Sequence, residues 1–344
     1  MRRYFLVHCL TVSTGVVFLP WQAGAQDSTL IACGPRISTF CTSAVAGQAR
    51  PKAIEFTYER VVDYAVDTRR AENEALRFDS EVRRNRRIDL KARFPVLNRP
   101  DWKLSLGLAY RTENYSFEQS SGPGTVLLEQ LEERPLKSIA STLYAGRFFE
   151  RTYLLARARA SLDRDGFESP DNESNPIKFT VAAIFGWKRS AYTTYGVGAA
   201  FSYLLGKGQL LPVVSLAHTF SQRFGIEALL PQSIKGRFNL GEKDLLYLNA
   251  EVDGANYNLV FDAPQLTGTY FLERSSMRTY ARYEHELHDW LWCGADLGWS
   301  LPINLSLTTD HGADRGEEVV HARATDALFF NVGLFVVPPK KMMK

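Results

Sequence analysis

The sequence predicts an all-β protein, a single antiparallel up-and-down transmembrane β-barrel of about 14 strands, with 12 as the alternative count. Three observations lead to this fold class. Apolar and polar residues alternate with a period of two, the gaps between alternating stretches are short and long in turn, and the chain begins with a secretion signal. One stretch shows the alternation on its apolar face at Trp102, Leu104, Leu106, Leu108 and Tyr110.

The N-terminal segment has the three parts of a secretory signal peptide. Arg2 and Arg3 form the positive region, Tyr4–Leu19 is mostly apolar, and Ala23-Gly24-Ala25 is a small-residue cleavage site. A short transmembrane anchor is the alternative, but the apolar run is short for a span and Pro20 interrupts it. We therefore predict that residues 1–25 are a signal peptide, removed after secretion through the inner membrane.

Residues 26–51 show no period and are predicted to form an irregular periplasmic segment before the barrel at 52–337, either a tail or a segment folded into the barrel mouth. Cys33 and Cys41 are candidates for a disulfide, because the compartment permits one. The alternative is that Leu30-Ile31-Ala32-Cys33 is a lipoprotein box with Cys33 lipidated. Residues 338–344 are a short C-terminal tail.

The alternation predicts strands whose length suits a membrane barrel. The candidates are 53–66, 75–97, 101–118, 135–149, 151–164, 176–189, 193–206, 210–220, 223–230, 232–241, 244–260, 267–286, 289–303 and 326–337.

The connections between these strands carry independent information. Connections after even-numbered strands are tight, as at 98–100 and 288–289, whereas the long ones, at 68–74, 119–134, 165–175, 261–266 and 304–325, follow odd-numbered strands. Outer-membrane barrels have short periplasmic turns and longer external loops, so both termini are predicted on the periplasmic side. A soluble β-sandwich also alternates but does not predict this parity. The short pair 223–230 and 232–241 is the reason for the 12-strand alternative.

The polar face of a membrane barrel points inward, because Arg or Lys on the lipid face costs about 2–4 kcal/mol near the midplane. Strand 232–241 is basic inside and strand 244–260 is acidic inside, so Lys235 or Arg237 is predicted to pair with Glu251 or Asp253. The charges either line a selective pore or fill a narrow barrel, and both signs are similarly frequent. The lumen-lining candidates are Asp89, Lys91, Arg93, Arg157, Arg159, Lys235, Arg237, Glu251, Asp253, Arg278, Arg282, Glu284, Glu286 and Asp296.

Aromatic residues lie next to the short turns and are predicted to form a periplasmic girdle, since amphipathic rings favour the membrane interface. They are Trp102, Trp187, Tyr192, Trp290 and Trp292. Cys293 is placed on the lipid face as a small apolar filler.

The residues that could carry chemistry do not combine into a catalytic set. His218 has Ser215 and Ser221 at odd separations, on the opposite face, and Ser202 on the preceding strand has no third group to orient the histidine. We therefore predict no enzymatic activity, no metal site and no cofactor. Removal of the signal peptide lowers the formal net charge from +3 to +1, and this near-neutral balance gives no reason to expect nucleic acid as a partner.

The segment from Pro212 to Leu307, with its order of strand, tight turn and aromatic strand, resembles an uncharacterised family of bacterial outer-membrane β-barrels, a domain of unknown function. The resemblance implies the barrel fold, outer-membrane lipid and the barrel assembly machinery as partners, and no catalytic motif. The chain departs from the usual terminal aromatic strand, since Pro338-Pro339-Lys340-Lys341 and three more residues follow Phe335.

The function predicted from these observations is a small passive pore with a mixed-charge lumen in the bacterial outer membrane. The alternative is a structural or surface-binding barrel that uses its loops at 119–134 and 304–325. The sequence does not fix a solute or an oligomeric state.

Overall fold

The computed structural model describes residues 45–165, 177–263, 266–309 and 317–339. The predicted signal peptide, Cys33, Cys41 and residues 340–344 lie outside this part of the chain. The strands are β1 (Ile54–Val61), β2 (Tyr64–Ala71), β3 (Asp79–Asn98), β4 (Trp102–Ser121), β5 (Leu136–Phe148), β6 (Thr152–Asp165), β7 (Lys178–Ser190), β8 (Thr193–Ser202), β9 (Gln209–Thr219), β10 (Phe224–Leu230), β11 (Ser233–Asn239), β12 (Asp244–Ala263), β13 (Leu266–His288), β14 (Leu291–Thr308), β15 (Glu318–Ala324) and β16 (Ala327–Val336).

The strands form one antiparallel sheet that closes into a ring of 14 strands through the pairing of β1 with β3. The strands β2 and β15 are continuations of β1 and β16 beyond a break at Val62-Asp63 and Thr325-Asp326. The prediction of an all-β barrel of about 14 strands is confirmed. The 12-strand alternative is wrong, because β10 and β11 each pair with a neighbour on both sides.

The two ends of the ring differ in their connections. We call the end with the short connections, such as Arg99–Asp101 and Asp289-Trp290, the turn end, and the opposite end the loop end. Three predicted loops at the loop end contain regular structure. Residues 119–134 include the helix α1 (Thr125–Glu133), and residues 304–325 include β15. The predicted loop 261–266 is shorter than expected, because β12 continues to Ala263 and β13 begins at Leu266.

The strands are very unequal in length, and this shapes the loop end. The strands β8 to β11 have 7–11 residues, whereas β12 has 20 and β13 has 23. Above the short strands β12 crosses the ring and meets β6 in parallel, with Asn258 opposite Arg164. The loop-end parts of β2–β6 and β12–β15, together with α1, therefore enclose a smaller compartment, which we call the cap.

Large apolar side chains are exposed around the outside of the ring, where a protein dissolved in water would carry polar ones. On β4 the exposed Leu106 and Leu108 alternate with the buried Lys103 and Ser105. We call this outer surface the apolar belt. It includes Phe56, Leu90, Phe94, Leu106, Leu108, Leu143, Leu154, Phe179, Val181, Phe185, Val197, Val214, Leu216, Ile234, Leu248, Met277, Leu297, Leu301, Val332 and Leu334.

The cap reverses this arrangement. Its buried interior is apolar and contains Val82 of β3, Leu259 of β12 and Leu127 of α1 in one continuous cluster. On the outer face of β3 the residues at the same level are the exposed Arg84 and Arg86. The leucines of α1 thus point inward, so segment 119–134 packs against the barrel's own core.

Candidate functional site

Charged side chains cross the interior of the barrel about halfway along its strands. Arg87 of β3 lies at the centre, with its guanidinium 2.8 Å from Asp253 of β12 and 2.6 Å from Glu59 of β1. Four strands separate β3 from β12 around the ring, so this contact is a chord across the lumen. Each ion is buried but paired, which offsets the cost of removing it from water.

Further pairs extend this chord. Arg111 of β4 donates to Asp89 at 2.7 Å and lies 3.8 Å from Asp253, and Arg278 of β13 donates to the second oxygen of Glu59. We call Glu59, Arg87, Asp89, Arg111, Asp253 and Arg278 the charge bridge. One layer nearer the cap, Arg274 donates to Glu113 at 2.7 Å. The charge bridge divides the lumen into a side lined by β4–β11 and a side lined by β1, β16, β14 and β13.

The second side is filled by further ion pairs toward the turn end. Arg282 makes two bonds of 2.6 Å to Asp296, in the bidentate geometry that makes arginine–carboxylate pairs strong. Lys52 lies 2.9 Å from Glu284. The predicted lumen candidates of β13 and β14 therefore all face inward, and in the structure they bind one another, the N-terminal segment or, for Arg278, Glu59 of β1.

Residues 45–53 cross the opening at the turn end, and we call them the strap. Ala46 donates to Ala191 at 2.8 Å and accepts from Thr219 at 2.7 Å, on the β7–β9 side of the ring. At the other side Arg50 lies 3.0 Å from Glu286 and 3.1 Å from Asp289. The strap is thus fastened to opposite walls. Residues 45–53 contain no helix or strand, and they lie within the barrel opening.

The side lined by β4–β11 contains a cavity of about 280 Å³. Five cationic residues face it against three carboxylates, and two of the carboxylates, Asp89 and Asp253, belong to the charge bridge. Its cations are Lys91, Arg111, Arg157, Arg159 and Lys178. The cavity is therefore basic, an asymmetry that the similar totals of acids and bases in the sequence concealed.

The predicted ion pairing of β11 with β12 is wrong for Arg237. The register places Arg237 opposite Tyr247 and Lys235 opposite Asn249. The Arg237 guanidinium donates to Thr219 at 2.9 Å and approaches Glu227 at 3.9 Å, and Asp253 binds Arg87 from across the lumen. Alternation gave the correct inward face for these residues, but the strand register and the chord across the lumen decide the partners.

Arg93 and Glu251 complete the predicted lumen candidates. Arg93 stacks over Tyr144 of β5, 3.6 Å from the ring centroid, and Glu251 lies opposite Ser233 of β11. Sequence reasoning missed Glu59, Arg87, Arg111 and Arg274 of the interior. Arg111 continues the polar face of the alternating stretch of β4, which is the signal that could have identified it, whereas Arg274 lies between Glu273 and Ser275, where no alternation marks it.

A second cavity, of about 150 Å³, lies where the cap meets the charge bridge. Its walls include Phe78, Leu259 and Leu272 from the cap and Glu113 and Arg274 from the interior. Nearby, burial raises the pKa of Glu273 to about 7, against the opposing influence of Lys207, which is partly exposed and 3.9 Å away, and of Lys178. Glu273 lies four residues beyond Met277, the last large exposed apolar residue toward the loop end of β13.

The aromatic residues near the turns follow the prediction with one exception. Trp102, Tyr192 and Trp290 are exposed on the outside, and Trp187 stacks with Tyr195 on the outer face. Trp292 is buried inside, where it stacks with Phe335. The girdle prediction is wrong for Trp292, because the tight turn at 289–290 places position 292 on the inner face.

His218 does not meet the serine considered for it. Its Nδ1 atom lies 2.7 Å from the hydroxyl of Thr193, at the turn end, whereas Ser202 pairs with Gln209 at the loop end. Within residues 45–165, 177–263, 266–309 and 317–339, no group of three or more His, Cys, Asp and Glu side chains is placed to hold a metal ion. In the same ranges no helix is long and apolar enough to cross a membrane.

Comparison with known proteins finds similarity to solved structures alone. No protein-family model and no curated protein sequence matches the chain, so its resemblance to an uncharacterised family stays a prediction. Among solved structures, a FadL homologue from Pseudomonas aeruginosa is 9% identical with a TM-score of 0.37, over 83% of this chain and 90% of that one. An outer membrane channel from Pseudomonas putida F1 is 9% identical with a TM-score of 0.35, over 86% and 99%. The translocator domain of the autotransporter NalP from Neisseria meningitidis is 10% identical with a TM-score of 0.32, over 84% and 90%.

Proposed function

We propose that this protein is an integral β-barrel of the bacterial outer membrane. The apolar belt supports this location, because so many exposed large apolar side chains around a closed ring need a hydrocarbon surrounding. The polar interior also supports the membrane location, since the charged Arg87 and Glu59 face inward at the level where Leu90 is exposed on the outside. The turn end is then periplasmic and the loop end external. Outer-membrane lipid and the barrel assembly machinery are the partners that this location requires.

Within the membrane the proposed activity is that of a narrow passive pore. The single observation that carries this proposal is the 280 Å³ cavity between the charge bridge and the wall formed by β4–β11. It reaches from Ile184 in the wall to Tyr203 and Gln232 at the loop end of the short strands. A path for a solute would run along this side, because ion pairs fill the other side, and it would pass the strap where the strap crosses the turn end. The proposal includes no enzymatic step.

Single-channel recording in planar bilayers tests this proposal. The mature protein, refolded and inserted, is expected to give small discrete conductance steps, consistent with a lumen that the charge bridge narrows. The matched variant Ala109→Trp places a large side chain into the cavity wall and is expected to reduce the conductance, while Ala158→Trp on the outer face of β6 should leave it unchanged. A folded barrel that conducts nothing would contradict the pore and favour the structural or surface-binding role.

A further inference from the structure

We propose that Arg157 and Arg159 form a binding site for a small organic anion, carrying carboxylate or phosphate groups, within the pore. This inference rests on the proposed function for its physiological meaning, but binding itself can be measured without conduction. The two residues alternate with Ala156 and Ala158 on β6, so both guanidinium groups face the cavity. Residues two apart on a strand lie about 7 Å from each other, a span that two oxygens of one anion can bridge.

The first argument is that these two cations lack a carboxylate or hydrogen-bond partner in the described part of the chain, although the Arg157 guanidinium lies 5.7 Å from the centroid of the Tyr144 ring. Neither Arg157 nor Arg159 makes an ion pair or a hydrogen bond with another residue in the described part of the chain, and the Nε of Arg157 is buried without a partner. Most other interior arginines behave differently, as Arg87 and Arg282 each bind a carboxylate within 2.8 Å. An uncompensated cation inside a barrel is costly, so an anion at this place would be stabilised.

The second argument is that the nearby carboxylates are occupied. Asp89 and Asp253 bind Arg111 and Arg87 in the charge bridge. Asp163, four residues from Arg159 on the same face of β6, accepts bonds from the hydroxyl groups of Ser138 and Ser161. Asp89 and Asp253 are therefore neutralised by other arginines, whereas Asp163, whose hydroxyl partners are neutral, keeps its charge but forms no ion pair with Arg157 or Arg159.

The third argument is that the neighbouring strands provide space and further donors. The residues opposite Arg159 on β5 and β7 are Thr142 and Thr180, whose hydroxyl groups can donate to an anion. Small residues, Gly107 and Ala109 on β4, line the wall between these strands and the cations of β3. The site is therefore open in front of the arginines and lined with groups that suit an anion.

The size of the cavity limits the ligand. Small-molecule pockets typically occupy about 300–1,000 Å³, so 280 Å³ suits a compact solute. Arginine recognises carboxylate and phosphate through two parallel hydrogen bonds, whereas a halide uses only its charge. Lys91 and Lys178 face the same cavity and add long-range attraction. A small dicarboxylate or a phosphate monoester combines the charge, size and donor pattern that the cavity presents.

The experiment compares Arg157→Gln/Arg159→Gln with a charge-matched control, Arg189→Gln/Arg223→Gln, at exposed positions near the turn end. Circular dichroism of each detergent-refolded protein verifies the β-structure. Titration calorimetry with inorganic phosphate and with succinate measures binding directly. Saturable binding that falls by about tenfold or more in the cavity variant, and stays unchanged in the control, supports the proposal. Unchanged binding in the cavity variant, or no binding by the wild type, overturns it.

Reversal potentials across a potassium succinate gradient provide the second readout. The wild type is expected to prefer the anion, and the cavity variant is expected to lose this preference while the control keeps it. Conductance without any change in preference contradicts the anion site but leaves the pore intact. Binding without conductance contradicts the pore and retains the site, so the two proposals fail separately.

Discussion

The substitution Leu106→Arg tests the membrane location most directly. Leu106 is the third of five outward-facing residues between Trp102 and Tyr110, so it lies near the middle of the apolar belt on β4. An arginine near the bilayer midplane of such a barrel costs about 2–4 kcal/mol, and near the interface about 0–1 kcal/mol. We expect Leu106→Arg to lower the free energy of unfolding by about 3 kcal/mol.

The matched control is Asn114→Arg, on the same outer face of the same strand. Asn114 lies eight residues from Leu106. At about 3.4 Å per residue and a strand tilt of about 40°, the two residues are separated by roughly 20 Å along the membrane normal. Asn114 is therefore beyond the belt, and its substitution is expected to cost less than about 1 kcal/mol. Equilibrium unfolding in guanidinium chloride, performed in phospholipid vesicles and followed by tryptophan fluorescence, measures both values. Equal effects of the two substitutions would refute the assignment of the belt to the bilayer.

Three further predictions concern the interior and the cap. Asp253→Ala leaves two buried arginines of the charge bridge without their shared carboxylate, so we expect the free energy of unfolding to fall by about 3 kcal/mol in the same assay. The control Glu251→Ala is expected to lower it by about 1 kcal/mol or less. Equal decreases in the two variants would contradict the charge bridge. Arg50→Ala releases one end of the strap and should increase single-channel conductance, whereas Arg50→Lys should restore most of the wild-type value. The pKa of Glu273 is raised from 4.5 to about 7 in the folded state, so between these two values the folded state binds more protons than the unfolded state. The free energy of unfolding is therefore expected to fall as the pH rises from 4.5 to about 7. Unfolding at several pH values should show this slope disappear in Glu273→Gln, and a slope that persists would point to another group.

The fold could be predicted from the sequence because period-two alternation is a local property of each strand. Turn chemistry then located the ends of strands such as β7 and β8 to within a few residues. The cap could not be predicted in the same way. Its inner face is apolar, so the apolar positions of β4 change from the even-numbered Leu106 and Leu108 outside to the odd-numbered Tyr115 and Phe117 inside.

The candidate site was predictable only in part. Alternation identified Arg157 and Arg159 as inward-facing, since each strand has two faces and only one can meet lipid. It could not show that these two lack carboxylates while Arg282 has one, because partners depend on register and on contacts across the lumen. The chord from Arg87 to Asp253 joins residues far apart in sequence and in strand order. Only the closed ring brings them together.

Within a single strand, the apolar side chains face outward in the apolar belt and inward in the cap. On β4 the side that carries Leu106 and Leu108 continues with Thr112 and Asn114, while the opposite side changes from Ser105 to Tyr115. The residue at which the apolar face changes sides therefore marks the edge of the apolar belt on that strand. A hydropathy profile computed separately for odd and even positions would show two curves that cross, and the crossing marks where hydrocarbon gives way to water.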